Sequence, residues 1–405
     1  MTMKFFFADS LDQIDPGFDF IKDQYSEDRQ PHRDDYYPHE FFKVPPYDGI
    51  LVSRAVIGDL SQKGKYTTSQ SMRFKRDGAR AFLRYYPSVG GSIMGDSGAF
   101  SYIKEDYPPY NPSEMVDYYT ECGFTHGVSI DHVILGYNEQ PHLLGLIPEE
   151  WKKRFDITLE LANEFMNCCK SRDISFQPIG VAQGWSPKSY SDSAQELEKM
   201  GYQIIAIGGL VPLQAPQIHN VLIKVRNHLS SHTKLHLFGF SKVHNIGEFT
   251  KYGIESFDST SPMIRAFKDA RNNYLFKDRW YSSIRIPSAE DNPFFKQEIL
   301  AGRKNQEKLR YLEKEALDVL RLYAGHKLDL DKTIEKVIEY GAEFSNKIDI
   351  PRYREVLRDR PWEKCECEVC STVGIEVIVF RGANRNRRRG FHNLWEFYRQ
   401  LQGIH

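Results

Sequence analysis

The stretch Ile204-Ile205-Ala206-Ile207-Gly208-Gly209-Leu210 is a short apolar run, rich in isoleucine, that contains two adjacent glycines near its end. Residues 218–229 follow it with apolar side chains at helical spacing. The same order of a short strand and then an amphipathic helix recurs between about residue 48 and residue 260. Strands that alternate with helices indicate a parallel sheet, and this many units favour a closed (β/α)8 barrel of the TIM type over an open sheet.

Polar residues or glycines stand at the predicted carboxyl ends of five different strands. They are Asp96, Asp131, Gln183, the pair Gly208-Gly209, and Asp258. One polar strand end is ordinary turn chemistry, but the carboxyl ends of barrel strands converge on one face, where barrel active sites are built. The sequence therefore predicts a single active site at that face.

The remaining sequence breaks this alternation. We assign residues 1–47 to an N-terminal extension, 48–275 to the barrel core, 276–360 to a helical insertion and 361–405 to a zinc-binding subdomain with a final helix. Charged helical patterns predict helices over residues 306–322 and 332–344, and no clear strand in the insertion. A strand over residues 373–380 and a helix over 393–401 are expected near the end.

Composition restricts the class of protein. The 405 residues carry a formal charge of −1, so the molecule is not a polycation that coats nucleic acid. No apolar run approaches the roughly 18 residues of a membrane span, and the start lacks a signal peptide, so a cytoplasmic protein is expected. The chain has no P-loop lysine and no GxGxxG after its first strand, so no phosphate or redox cofactor is indicated.

Three of the six cysteines are clustered, in the spacing Cys365-x-Cys367-x2-Cys370, and His392 follows them. Four Cys and His ligands with local spacing are typical of zinc, and a site with all four positions filled by protein is structural. A zinc deaminase needs a His-x-Glu motif before its Pro-Cys-x-x-Cys, and that arrangement is absent. We therefore expect one structural Zn²⁺ per chain.

The segment between Cys370 and His392 is rich in arginine. Five arginines fall within residues 381–389, and four of them are candidates to bind nucleic-acid phosphates: Arg385, Arg387, Arg388 and Arg389. The alternative is a solvated surface loop with no partner. The position inside the metal motif favours the phosphate-binding interpretation.

Several of these motifs together resemble those of the tRNA-guanine transglycosylases. Residues 96–100, Asp-Ser-Gly-Ala-Phe, are similar to that family's aspartate-serine-glycine-glycine-aromatic motif, and residues 180–184 to its valine-glutamine-glycine strand end. Residues 206–210, 237–240 and 257–262 fall where the family has its Gly-Gly turn, its stacking strand and its nucleophile segment. With the zinc ligands, the resemblance covers about residues 90–270 and 360–402.

The resemblance implies exchange of a guanine base through two carboxylates. Asp258 would be the nucleophile and Asp96 the general acid/base. The base-binding residues would be Asp131, Gln183, Gly208, Gly209 and Leu210, with Phe100 and Phe238 as stacking faces. Core packing is the alternative for each phenylalanine, and a helix cap before Gly136 is the alternative for Asp131.

The chain departs from the tRNA enzymes in its N-terminal segment, its helical insertion and its Ser-Gly-Ala-Phe sequence. These features look like the DpdA-type enzymes, which place 7-deazaguanines in DNA. The resemblance then implies DNA as the polymer, a free 7-deazaguanine (preQ0-like) as the incoming base and a companion ATPase. Sequence chemistry alone does not choose between DNA and tRNA.

Three other functions stay open at this point. The first is a tRNA-guanine transglycosylase, and the second is a non-catalytic nucleic-acid-binding subunit of such an enzyme. The third is a barrel hydrolase acting on sugars, which leaves the arginine segment beside the metal motif unexplained. The identity of the incoming deazaguanine, the DNA context and strandedness, the oligomeric state and the role of residues 276–360 are not determined by the sequence.

Overall fold

The computed structural model describes residues 3–58, 64–86, 91–139, 147–240 and 246–403. Eight parallel strands form a closed barrel in chain order, β1 (Lys4–Ala8), β2 (Gly49–Ser53), β3 (Ser92–Asp96), β4 (His126–Val128), β5 (Gln177–Ala182), β6 (Ile204–Ile207), β7 (Lys234–Leu237) and β8 (Ile254–Ser259). β1 closes the barrel because it pairs in parallel with both β2 and β8. The predicted (β/α)8 fold is confirmed.

The helices of the described residues are α1 (Pro38–Phe41), α2 (Arg54–Ile57), α3 (Thr68–Phe82), α4 (Pro112–Glu121), α5 (Glu149–Lys170), α6 (Pro187–Met200), α7 (Ala215–Arg226), α8 (Ile246–Phe249), α9 (Ser261–Lys268), α10 (Pro293–Leu300), α11 (Gln306–Ala324), α12 (Leu330–Gly341), α13 (Ile350–Asp359), α14 (Pro361–Lys364), α15 (Glu368–Val373) and α16 (Ala383–Leu401). Short 3-10 helices span Ala99–Tyr102, Thr250–Tyr252 and Gly374–Ile378. Within the described residues, none of these helices is both long and apolar enough to cross a bilayer.

Local chemistry explains where the barrel helices begin. α4 starts at the Asn111-Pro112 pair, where the Asn111 side chain accepts from the Ser113 N–H at 2.8 Å and proline occupies the first turn. α6 begins the same way, because the Ser186 side chain accepts from the Ser189 N–H and Pro187 follows it. These two caps end the loops before α4 and α6 at a defined residue.

The barrel interior is filled by apolar side chains from successive strands. The cluster consists of Phe6, Leu51, Met94, Val128, Ile179, Val181 and Ala206. Complete burial of a large apolar side chain of this kind contributes about 1.5–3 kcal/mol. The interior below the strand ends is therefore a packed core that supports the polar residues at the ends.

The chain forms two compact units. The barrel unit contains Met1–Leu11 and Tyr47–Ser261, and the C-terminal unit contains Asp12–Pro46 and Pro262–His405. The C-terminal unit holds α1 and α10–α16, together with the antiparallel pair β9 (Tyr274–Phe276) and β10 (Arg279–Tyr281) and the parallel pair β11 (Ile284–Arg285) and β12 (Val379–Phe380).

The structure corrects three predicted boundaries. Residues 1–47 are not wholly an extension, because β1 lies inside them. The alternation of strands and helices does not reveal β1, because the roughly 40 residues between β1 and β2 contain only the four-residue helix α1. The boundary at residue 276 falls within β9, and residues 276–360 contain β10 and β11 as well as the two predicted helices, seen as α11 and α12. Most of the predicted strand over 373–380 is a 3-10 helix, because only Val379 and Phe380 pair with another strand.

Candidate active site

The end of β3 carries the first predicted site residue. Asp96 is the last residue of the strand and lies opposite Ser53 of β2. The chain then turns sharply at Gly98, which has a φ of 84° and leaves no room for a side chain because an added Cβ would lie 2.7 Å from the Ala55 Cβ. The turn directs Asp96 to the carboxyl end of the barrel.

The surroundings of the Asp96 carboxyl group disfavour its ionised form. Its Oδ1 atom is buried and makes no hydrogen bond to any described residue. Burial chiefly, with the negative charge of Asp258, raises the pKa of Asp96 to about 6, although hydrogen bonds from Ser53 and the Gly98 N–H act in the opposite direction. A carboxyl group with this pKa exchanges a proton readily near neutral pH.

Asp131 lies three residues beyond β4 and is paired with Gln183 at the end of β5. The Gln183 side-chain nitrogen donates to Asp131 Oδ2 at 2.7 Å, and the Gln183 oxygen accepts from the Ile134 N–H at 3.1 Å. Burial raises the pKa of Asp131 to about 7; the Gln183 bond lowers it and the Asp96 charge raises it. Both side chains are buried, and the amide of Gln183 fixes the orientation of the carboxyl group.

A hydrogen-bonded relay connects the Asp96 turn to the Asp131 loop. Ser97 Oγ and the Tyr102 hydroxyl lie 2.6 Å apart, and the Tyr102 hydroxyl donates to the Asp131 main-chain carbonyl at 3.0 Å. Both side chains are almost completely buried. The two loops are therefore held in register by side chains that do not themselves enter the site.

The glycines after β6 make room for neighbouring groups of the site. An added Cβ at Gly208 would lie 2.3 Å from Gln183 Nε2, and one at Gly209 would lie 2.5 Å from the Ile134 carbonyl oxygen. Gly209 also has a φ of 67°, which favours glycine. The missing Cβ atoms therefore make room for Gln183 and the Asp131 loop. Leu210, which follows, is buried with 1% of its surface exposed.

Asp258 lies in β8 with 6% of its surface exposed. Its Oδ1 atom accepts from the Gly239 N–H at 2.9 Å and lies 3.3 Å from the Nε2 atom of His236. Since its charge raises the pKa of Asp96, the carboxyl groups from β3 and β8 act on each other. The coupling continues from Asp96 to Asp131. The barrel thus collects the three predicted carboxylates and Gln183 into one interacting group.

The two candidate stacking rings have unequal surroundings. Phe100, in the 3-10 helix after Asp96, is 53% exposed. Phe238 is half-buried, packs against the barrel core and makes an edge contact with His236, with 4.8 Å between ring centroids. Part of the Phe238 ring is therefore used in core packing, whereas much of the Phe100 ring is exposed.

The C-terminal unit brings together the four predicted metal ligands. Cys365, Cys367, Cys370 and His392 are buried, and their ligand atoms lie within 4.8 Å of one another. His392 Nδ1 is 3.5 Å from Cys365 Sγ and 3.4 Å from the other two sulfur atoms. A tetrahedral ion with bonds of about 2.3 Å to sulfur and about 2.0 Å to nitrogen separates these atoms by about 3.5 Å. The group could hold a metal ion.

Surrounding residues orient the histidine of this group. His392 Nε2 lies 2.5 Å from the Leu275 carbonyl oxygen, which can only accept, so Nε2 carries the hydrogen and Nδ1 is free to be a ligand. The Tyr274 ring stacks on His392 with centroids 4.1 Å apart, and its hydroxyl lies 3.2 Å from Cys370 Sγ. These contacts are the outer shell that a metal site requires.

The structure contradicts the predicted phosphate-binding patch at three of its four arginines. Arg385, Arg388 and Arg389 lie in α16 with 1%, 1% and 0% of their surface exposed. Arg385 pairs with Asp23 and Glu376, whereas Arg388 donates to the main-chain carbonyls of Asp15 and Pro16. A helix that begins at residue 383 turns these side chains inward, whereas a loop would have exposed them. Arg387 alone is half-exposed, with one bond to the Gln13 carbonyl at 3.1 Å.

Sequence reasoning assigned no role to His236, Ser97, Tyr102 or Tyr190, whose hydroxyl donates to the Gly208 carbonyl at 3.0 Å. Each is a single polar group in an otherwise apolar stretch, which is also typical of an ordinary core residue. For His236 the available signal was its position two residues before Phe238, the spacing that places side chains on one face of an extended chain.

The chain is similar to known proteins both at the level of a family and at the level of individual relatives. Residues 146–378 match the family model described as Queuine tRNA-ribosyltransferase. The chain is 43% identical over 408 residues to a DNA-guanine transglycosylase from Salmonella montevideo, covering 99% of this chain and 97% of that protein.

Similarity to tRNA enzymes is weaker and covers less of the chain. A tRNA-guanine(15) transglycosylase from Pyrobaculum aerophilum is 23% identical over 53% of this chain and 42% of its own length. The corresponding protein of Methanocaldococcus jannaschii is 24% identical over 44% of this chain and 27% of its own length. The similarity to the DNA-guanine transglycosylase therefore extends into regions of the chain that these matches do not reach.

Proposed function

This chain belongs to the queuine tRNA-ribosyltransferase family, the tRNA-guanine transglycosylases, and from that premise we propose that it exchanges guanine in DNA for a 7-deazaguanine. The observation that carries the choice of DNA is the 43% identity over 99% of the chain to a protein named as a DNA-guanine transglycosylase. The alternative polymer is tRNA. Its support is the partial similarity of this chain to tRNA-guanine(15) transglycosylases.

We assign Asp258 as the nucleophile and Asp96 as the general acid/base. In the first step a carboxylate oxygen of Asp258 bonds to C1′ of the deoxyribose while the bond from C1′ to guanine breaks. The bonding electron pair leaves with the base, which takes a proton from Asp96. In the second step the incoming base gives a proton to Asp96 and bonds to C1′ as Asp258 leaves.

The electrostatics of the site support these roles. Asp96, with a pKa of about 6, can be protonated for the first step and ionised for the second at a modest cost in free energy near neutral pH. General acid/base catalysis of this kind contributes about 10²–10⁴-fold to a rate. Since each step returns the proton that the other removes, the exchange needs neither ATP nor a redox partner for its chemistry.

Asp131 and Gln183 are proposed to bind the base. A carboxylate can accept from the N1–H and the exocyclic amine that guanine and its deaza analogues share. Because one amide hydrogen of Gln183 is already given to Asp131, we propose that Gln183 acts first by orienting that carboxyl group. Phe100, with its exposed ring, is the stronger of the two stacking candidates.

The Cys3His group is proposed to hold one structural Zn²⁺. Three sulfur ligands and one nitrogen with tetrahedral separations suit zinc, and four protein ligands leave no position for water. Zinc would therefore stabilise the C-terminal unit and take no part in the exchange. The base in a duplex must leave the stack, which costs a few kcal/mol, so a companion ATPase that opens DNA is compatible with this function.

The test is incorporation of labelled guanine by the purified protein. Single-stranded DNA, DNA with an unpaired bubble and tRNA should be offered separately, so that no partner is required to open a duplex. We expect label in DNA, and none with the Asp258→Asn variant. Label only in tRNA would establish the alternative. No label in either polymer, from folded protein, would favour a non-catalytic nucleic-acid-binding subunit.

A further inference from the structure

We propose that His236 is a positioning residue that holds the Asp258 carboxylate in the orientation required for attack; this inference rests on the proposed function. His236 lies in β7 with none of its surface exposed. Its Nε2 atom lies 3.3 Å from Asp258 Oδ1 and its Nδ1 atom lies 2.8 Å from Ser256 Oγ. A single imidazole thus bridges two residues of the neighbouring strand.

The strand register explains how one ring reaches both residues. β7 and β8 pair with a shift between Leu235, opposite Ile254, and His236, opposite Ser256. The shift inserts one extra residue into β8, and such bulges re-aim side chains near active sites. Ser256 and Asp258 are two positions apart and lie on one face of β8. His236 therefore faces both of them.

The direction of the hydrogen bonds follows from the chemistry of each group. An ionised carboxylate can only accept, so Nε2 of His236 must carry a hydrogen and donate to Asp258. In the neutral ring Nδ1 is then an acceptor, and the Ser256 hydroxyl donates to it. The Asp258 carboxylate therefore selects the tautomer with its hydrogen on Nε2, and the Ser256 hydroxyl, which can donate or accept, matches that tautomer. This order, Ser256 to His236 to Asp258, has one hydrogen for each contact.

Packing limits the freedom of the imidazole ring. Phe6 makes an edge contact at 6.0 Å between centroids, and Phe238 makes another at 4.8 Å. In a packed interior a ring fixed on two sides and bonded at both nitrogens occupies one orientation. The contact of Phe238 with His236 also gives a physical reason for its half-buried position.

The consequence for Asp258 is that its two oxygens differ. Among the described residues, both donors that reach the carboxylate, His236 Nε2 and the Gly239 N–H, bind Oδ1. We therefore assign Oδ2 as the oxygen that attacks C1′. Misplacement of a reacting group by about 1 Å can cost on the order of 10²-fold in rate, and loss of one of two donors would allow such a displacement.

The experiment compares two substitutions at residue 236 with a control. His236→Gln keeps a donor near the Nε2 position, whereas His236→Asn is too short to reach Asp258. His126→Asn is the matched control, because His126 is a half-buried barrel histidine that also makes an edge contact with Phe6. The measurements are the rate at which the covalent protein–DNA intermediate forms and the KM for the free base.

We expect His236→Asn to slow intermediate formation by about 10²-fold without changing the KM. His236→Gln should recover most of that loss, and His126→Asn should stay near the wild-type rate. The proposal is overturned if His236→Asn reacts at the wild-type rate. It is also overturned if the Gln and Asn variants, both folded, lose the same amount.

A second measurement does not depend on activity. In ¹⁵N spectra of the wild-type protein, we expect the ring of His236 to carry its hydrogen on Nε2, and its signals should move in Asp258→Asn but not in Asp96→Asn. A hydrogen on Nδ1, or no response to Asp258→Asn, contradicts the bond. If wild-type protein exchanges no base, the proposed function fails, and these spectra still decide whether His236 holds the carboxylate.

Discussion

The buried charged groups in the two units of this protein differ in how completely their polar atoms are hydrogen-bonded. In the barrel unit Asp96 and Asp131 are held among neighbours that leave them under-compensated, and their pKa values rise to about 6 and about 7. In the C-terminal unit Arg385 is buried more deeply, with 1% of its surface exposed, and it is matched by Asp23, Glu376 and the Phe20 carbonyl. Burial lowers the pKa of Arg389 to about 9, but its guanidinium group is bonded to three main-chain carbonyls.

The difference separates residues that await a ligand from residues that complete the fold. A buried group with an unsatisfied atom costs free energy unless something binds to it, so the barrel end retains binding capacity. A buried group with every donor engaged has none left. Charge and sequence position made the arginines resemble a binding surface, but the bonds they make assign them to the scaffold.

The metal group is expected to give the largest effect. Cys367→Ser should abolish binding of one zinc per chain and unfold the C-terminal unit, because the metal-binding free energy of about 10 kcal/mol or more is also folding free energy. Metal analysis and thermal unfolding measure both results. Cys168→Ser, outside the group, is the control. If soluble protein keeps full activity without metal, the four ligands do not stabilise the C-terminal unit through zinc, and the contrast between the two units fails for this group.

The next effect concerns Asp258. Asp258→Asn should lower exchange by on the order of 10⁴-fold, since removal of a nucleophile leaves only binding and electrostatic contributions. Thermal stability and DNA affinity should be close to wild type. The covalent intermediate is detected by denaturing gel after incubation without incoming base. An unchanged yield of intermediate would remove Asp258 from the mechanism.

Asp131 gives a test through pH. The folded-state pKa is raised from 3.8 to about 7, so its contribution to stability is complete below about pH 4 and is lost as pH rises through about 7. Asp131→Asn removes this loss and should raise the free energy of unfolding at pH 8, by at most about 4 kcal/mol. Urea unfolding at pH 4 and pH 8 measures it. The base exchange should fall at the same time.

Part of the raised pKa of Asp131 comes from the negative charge of Asp96, so the gain in unfolding free energy should be smaller than about 4 kcal/mol. Asp131→Glu, which keeps the titrating group, should show no such gain at pH 8. If Asp131→Asn destabilises the protein equally at both values of pH, the buried carboxyl group is satisfied in the folded protein. The contrast with the arginines would then be lost.

A substitution at Arg389 is expected to lower the free energy of unfolding, whereas Asp131→Asn raises it, and the effect is the smallest of the four. Arg389→Ala leaves the Ala266, Val377 and Val379 carbonyls without their donor and should cost about 3 kcal/mol of unfolding free energy. Arg387→Ala, at a half-exposed position, should change it by less than about 0.5 kcal/mol. Thermal unfolding compares them. DNA affinity that falls in folded Arg389→Ala, with its stability unchanged, would restore the phosphate-binding interpretation.

Much of the fold could be predicted because it depends on local patterns. Three features each depend on residues that are close together in the sequence. They are the alternation of strands and helices, the capped start of α4 and the spacing of the three cysteines. The carboxylates could be predicted for a related reason, since a barrel brings all strand ends to one face whatever the details of packing.

Tertiary structure alone decided the features that depend on distant partners. β1 became a barrel strand by pairing with β2 and with β8, which lies about 250 residues away. Arg385 turned inward because Asp23 and Glu376 are placed to meet it, and His236 reached Asp258 because one extra residue in β8 shifts the register. A residue's type sets which bonds it can make, but the partner that it meets is fixed only when non-local strands and helices pack.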